Sequence, residues 1–240
     1  MADHQTIRRA GAAAGALDID EGLRAHMNRV YGIMGLGMAT TGIVAYFTGQ
    51  NEALLQTLFT GYMRWIVMFA PLVMVFFLGG MINRLSENAA RMAFIAFSAL
   101  MGLSISWIFA VYTGVSITQT FFTTAIAFGG LSMYGYTTKR DISGWGSFLI
   151  MGVIGLIVAS ILNIWLASSA MTFAISIIGL LIFAGLTAYD TQNIKNTYLQ
   201  MAHAGQTEWL GKAAIMGALN LYLDFLNMFM FLLHFMGGQD

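Results

Sequence analysis

The chain has 240 residues, 58% of them hydrophobic and only 9% charged, with 11 basic and 11 acidic side chains and no cysteine. A water-facing domain carries roughly 25% charged residues, so this composition excludes an ordinary soluble domain and makes the lipid bilayer the expected solvent. Zero net charge without a long basic run excludes a nucleic-acid surface, and the lack of cysteine excludes disulfides and thiolate metal sites.

Residues 1–29 read as a polar cytosolic tail. Arg8 and Arg9 resemble the start of a signal peptide, but Asp18, Asp20 and Glu21 interrupt the short small-residue run that follows, where a signal needs an apolar core. A transmembrane helix needs about 20 mostly apolar residues. Val30–Phe47 meets that, with Gly32, Gly35, Gly37 and Gly42 expected to allow close helix contact. A polar link, Asn51–Gly61, leads to a second span at Trp65–Ile82, with Pro71 as the one candidate kink. From Met92 to Thr138 there is no charge. As one helix that stretch would be a rod of roughly 70 Å, so it folds back, with the turn expected at Thr113-Gly114-Val115-Ser116. Ile142–Tyr189 repeats the pattern with a break at Ser168-Ser169, Thr191–Lys212 reads as a polar loop, and Ala213–Met236 is the last span. The expected fold is an all-α integral membrane protein of seven transmembrane helices over residues 30–236, followed by a short tail at 237–240.

Lys and Arg counts across the tail and successive connections run four, one, two, none, two, none, two, none. Basic residues stay on the cytosolic side, so the N-terminus is expected inside and the C-terminus outside. Trp65, Trp145, Trp165 and Trp209 fall near span ends, where interfacial aromatics belong.

Two acids stand apart from the tails and links. Asp224 lies near the middle of the last span, where a charge costs at least ~2.5–3.5 kcal/mol unless paired, protonated or hydrated. Asn220 and Asn227 lie at i−4 and i+3 from it, making a polar stripe on one helix face. Asp190 closes the preceding span in GLTAYDTQNIK, with Thr187 and Asn193 on its side. Two carboxylates brought together share a proton, and their oxygens suit calcium. Asp190 and Asp224 are therefore the candidate ion-binding and pH-sensing pair. The plainer readings are a protonated Asp224 acting as glue between helices and an Asp190 that simply ends its helix. Along straight helices Asp224 sits roughly 10 Å deeper than Asp190, a gap that tilt or a water-filled cavity would have to close. Arg84, at the end of the second span on the same side as Asp190, is a candidate gate latch or an ordinary positive-inside anchor. His4, His26, His203 and His234 lack metal-ligand spacing.

The segments GLTAYDTQNIK (Gly185–Lys195) and ALNLYLDFLNMF (Ala218–Phe229) resemble the two signatures of the transmembrane Bax inhibitor motif family, the Bax inhibitor-1-like proteins, in a bacterial-type member. The resemblance implies seven helices with the last at the centre of the bundle. It implies a pH-dependent calcium leak, with Asp190 and Asp224 as sensor pair and calcium as permeant or bound ion; no tightly bound cofactor is implied. It also implies an arginine latch, for which Arg84 is the nearest match, and, for bacterial members, an inner-membrane location with a membrane-anchored quality-control protease as partner. A non-conducting regulator binding that protease or another membrane protein is the alternative reading, with the tail and the stretch Thr191–Lys212 carrying the contacts. An aspartyl intramembrane protease fits poorly. Its Gly-x-Gly-Asp is replaced by Tyr222-Leu223-Asp224, and Pro71, the one proline, stands far from a Pro-Ala-Leu element. No enzymatic activity is expected. A retinal protein lacks its Schiff-base lysine on the last helix.

Overall fold

The computed structural model describes residues 2–205 and 209–238, with side chains from Ile19 onward. The described residues form helices joined by short turns: α1 (Ala2–Gly49), α2 (Glu52–Phe59), α3 (Met63–Met81), α4 (Glu87–Ile105), α5 (Ile108–Val111), α6 (Gly114–Thr137), α7 (Trp145–Leu166), α8 (Ser169–His203) and α9 (Leu210–Met236).

Helix starts follow local capping chemistry. The side chains of Asn51, Ser86, Thr113 and Ser168 each accept from a backbone N–H three residues on, which satisfies an orphan donor of the first turn. The breaks expected at 113–116 and 168–169 are therefore real. Ala167, left-handed at φ 47°, closes α7.

α1 is one continuous helix from Ala2 to Gly49, so the tail is helical and runs straight into the first span. Two expectations change. The link after α1 contains α2, a helix with no buried residue. The polar stretch from Thr191 is helical as far as His203. That stretch contains neither Pro nor Gly before Gly205, and it buries Thr191, Gln192, Ile194 and Tyr198, so tertiary packing carries the helix past the point where polarity sets in.

Among the described residues six helices are long and apolar enough to cross a membrane: the Ile19–Gly49 part of α1, α3, α4 with α5 (Glu87–Val111), α7, α8 and α9. α6 has the length, at 24 residues, but Ser116, Thr118, Gln119, Thr120, Thr123 and Thr124 dilute its apolar character.

α9 is the most enclosed of the six. Of its most apolar stretch 67% is buried, against 11% in α7, and it packs against α1, α4, α6 and α8. Leu221, Tyr222 and Leu233 of α9 are fully buried, with Phe94 and Phe97 of α4 around Tyr222 in edge-to-face contact. Close helix approach depends on a few glycines. A Cβ at Gly37 would lie 2.7 Å from the Phe94 ring, and one at Gly102 would lie 2.7 Å from the Thr41 carbonyl. Gly32, Gly35 and Gly42, by contrast, face open space; they are not helix contacts.

One end of the bundle gathers the polar tethers. There Arg29 pairs with Glu87, Lys212 donates to the Asn83 carbonyl at 3.2 Å and Lys195 to the Tyr136 carbonyl at 2.8 Å. Buried Gln192 accepts from the Ile142 amide at 2.9 Å and donates to the Arg140 carbonyl at 2.8 Å, fastening the α6–α7 turn to α8. At the opposite end the Thr113 amide donates to the Gly238 carbonyl at 3.3 Å, and the Gly238 amide to Ser116 Oγ at 2.9 Å.

Candidate functional site

α8 and α9 form an antiparallel hairpin, and its two arms match. His203 ends α8 thirteen residues after Asp190, and Leu210 begins α9 fourteen residues before Asp224. At 1.5 Å per residue both acids stand roughly 20 Å from the turn, so the depth gap expected from sequence disappears. It came from ending the helix at Asp190, whereas Asp190 lies well inside α8.

At that shared height the carboxyls of Asp190 and Asp224 come within interacting range of each other. Carboxylates only accept, so a hydrogen bond between the two groups requires one proton shared by the pair. Asp224 is 3% exposed, and its Oδ2 is buried without a hydrogen-bond partner. A buried polar atom left unpaired costs free energy, so this oxygen is the feature of the site that calls for a ligand, a proton or a moving neighbour.

One helical turn from both acids, toward the α8–α9 turn, lies a cavity of about 180 Å³. Asn193 and Thr197 of α8 line it, with Asn220 and Trp209 from the α9 side and His26 of α1. It is wide enough for several waters. His26 is buried and packs its ring 5.0 Å from Tyr198.

The other candidates divide. Asn193 and Asn220 share the cavity beside the acids. Thr187 is buried on α8; its hydroxyl donates to the Phe183 carbonyl at 2.8 Å and lies 3.4 Å from Met228 Sδ. Asn227 donates to the Leu223 carbonyl of its own helix at 2.8 Å and is not drawn to the pair. Arg84 is exposed at the end of α3 and makes no ion pair among the described residues, so it does not latch the acids in this arrangement. The arginine that ties helices together at this end is Arg29, through Glu87, which Arg91 also approaches at 3.7 Å.

Two hydroxyl chains around the pair carried no signal in the sequence. Thr191 donates to the Thr187 carbonyl at 2.7 Å, so Ser132 must donate to Thr191, at 2.9 Å, and Tyr31 in turn to Ser132. The chain is polarised inward and ends on a carbonyl; it clamps α1, α6 and α8 together rather than passing protons to an acid. In the same way Thr41 donates to the Ser98 carbonyl at 2.8 Å, so Tyr222 donates to Thr41 at 2.6 Å and pins α9 to α1 and α4 two residues before Asp224.

Two carboxyls make only part of a calcium site. Calcium takes six to eight oxygens, and no group of three or more His, Cys, Asp or Glu occurs among the described residues.

Comparison with known proteins agrees with this architecture. Residues 23–240 match the family model described as inhibitor of apoptosis-promoting Bax1. The chain is 46% identical over 219 residues to the inner membrane protein YbhL of Escherichia coli K12, covering 91% of this chain and 93% of that one. It is 44% identical over 232 residues to a protein of Caulobacter vibrioides (93% and 92% covered), and 43% over 222 residues to the protein RP147 of Rickettsia prowazekii (92% of each). A model matched across nearly all of the helical bundle, with relatives of this identity over more than nine-tenths of their lengths, makes the chain a multi-pass membrane protein of the Bax inhibitor-1-like family.

Proposed function

We propose that this protein is a pH-sensitive calcium leak channel of a bacterial inner membrane, with Asp190 and Asp224 as its gate, and that it has no enzymatic activity. The observation that supports this most is the contact between two acids at equal depth, one of them with an unpaired buried oxygen. With one proton between them the carboxyls hold α8 against α9. Without it two negative charges meet in a low-dielectric interior, where repulsion is strong, so the pair must part or take up a cation. Protons and calcium then compete for the same oxygens, and the cavity lined by Asn193 and Asn220 serves as the vestibule. Other ionisable groups on the elements packed around this hairpin include Arg24, His26 and Arg29 on α1, Glu87 and Arg91 on α4, Lys195 and His203 on α8, and Lys212 and His234 on α9.

In this reading α6 is the seventh span. Thr118, Thr123 and Thr124 each donate to a carbonyl of their own helix at 2.8 Å, which hides hydroxyls from lipid. The end carrying Arg29, Lys195 and Lys212 faces the cytosol, in keeping with the rule for basic residues.

Calcium entry into proteoliposomes across pH 6 to 8 tests the proposal. The wild type is expected to leak calcium with a rate that depends on pH, and Asp190→Asn and Asp224→Asn to remove that dependence. Vesicles as tight as empty liposomes for all three proteins would sink the channel reading and turn attention to a non-conducting regulator and its membrane-protease partner.

A further inference from the structure

Between α1 and α6 the bundle is open. Cavities of 540, 610 and 450 Å³ follow one another along α1; the first two share Tyr31 and Phe128, the last two Gly42 and Phe121. They form one trough, with Phe225 of α9 among its lining residues. Gly35 and Gly42 lie on its α1 wall, and a Cβ on either would meet nothing within 4 Å. The space is therefore left by absent side chains that no neighbouring helix fills.

The chemistry of the trough changes along its length. Beyond Tyr31 it is lined mainly by apolar side chains. At its other end stand Arg24, Asn28 and Tyr136, and Lys195 Nζ lies 5.4 Å from the centre of the Tyr136 ring. Arg24 is exposed and makes no ion pair among the described residues, although Asp20 and Glu21 precede it by about one turn. Lys139 and Arg140 directly follow α6, the opposite wall. Eleven residues separate Arg24 from Gly35, roughly 16 Å of helix, which matches the ~15 Å depth of hydrocarbon in one leaflet.

We propose that this trough binds one anionic phospholipid, its phosphate held by Arg24 and Asn28 at the mouth, with Lys195 behind Tyr136 adding positive charge, and one acyl chain laid along α1 past Gly35 toward Gly42. Guanidinium and ammonium groups are the natural partners of phosphate, and basic pockets between transmembrane helices hold anionic headgroups. A cationic mouth and an apolar channel, spaced by one leaflet, repeat the two-part chemistry of such a lipid. A second copy of this chain would have to present an acid beside an apolar helix in the same register.

Native mass spectrometry of the purified full chain with equimolar phosphatidylglycerol and phosphatidylcholine tests the assignment. The wild type is expected to retain one phosphatidylglycerol in preference to phosphatidylcholine. Arg24→Ala should lower that preference about fivefold. The double variant Gly35→Leu/Gly42→Leu, whose new side chains enter open space, should lose the bound lipid of either headgroup while keeping the wild-type melting temperature. Equal retention by the wild type and the filled variant, or no headgroup preference in the wild type, would overturn the proposal. So would a dimer that disappears when the trough is filled, which would make a second copy the occupant.

Discussion

Thr41 has a single hydroxyl proton and gives it to the Ser98 carbonyl, so the buried Tyr222 hydroxyl depends on Thr41 as its acceptor. Thr41→Val keeps the shape and removes that acceptor. A buried donor left unsatisfied costs about 1–3 kcal/mol, and denaturant unfolding in detergent should register a loss of that size. Adding Tyr222→Phe should make the double variant less destabilised than the sum of the two singles, because the orphaned hydroxyl goes with it; simple additivity would show that Thr41 and Tyr222 are not coupled. Asp141 offers a pH test at the same scale. It lies in the exposed turn between α6 and α7, where the Ser143 hydroxyl and amide donate to its carboxylate and hold it below the usual carboxylate range. A lowered folded value means that its help to the turn is fully present above the ordinary carboxylate range and fades as pH falls through the folded value. Ser143→Ala, which removes the hydroxyl and keeps the amide, should therefore raise the Asp141 titration midpoint in carboxyl-selective NMR; an unchanged midpoint would show that the Ser143 hydroxyl is not the cause.

At the level of helices, Gln192 works as a rivet. Its two amide atoms satisfy the Ile142 N–H and the Arg140 carbonyl, so Gln192→Leu should destabilise by about 1–3 kcal/mol and speed amide hydrogen exchange at Ile142 more than in α9. Uniform exchange across both regions would count against a local tether. This rivet also shows where sequence reading stops. Asp190 and Asp224 stood out because an acid inside an apolar stretch is costly wherever it points. Gln192, Ser132 and Thr191 looked like ordinary polar residues near a helix end, and their partners lie some fifty or more residues away. The end of α8 is hidden from the sequence for a related reason: polarity marks where a chain can leave lipid, while burial of Ile194 and Tyr198 decides where the helix stops. The glycines of α1 divide on similar grounds, since identity alone does not tell Gly37, pressed against Phe94, from Gly35, which faces open space.

For the molecule as a whole, the number of crossings decides where the chain ends emerge. Seven crossings place the termini on opposite sides of the membrane and six place them together, so one experiment tests both the role of α6 and the orientation. Alkaline phosphatase fused after residue 240 should be active in a bacterial host, because it folds outside the cytosol, while the same enzyme fused near the N-terminus should be silent. Activity at neither end would mean an even count with α6 outside the bilayer.

The matched arms of α8 and α9 act as a caliper. A residue added to one arm turns everything beyond it by about 100° and lifts it 1.5 Å, so a single insertion between Asp190 and His203 would swing one carboxyl away from the other, while the same residue inserted after Gly205 lies outside both arms. Length changes in this hairpin should therefore be tolerated in the connection, or in both arms together, and rejected in one arm alone. The acid pair is held in place as much by counting as by chemistry.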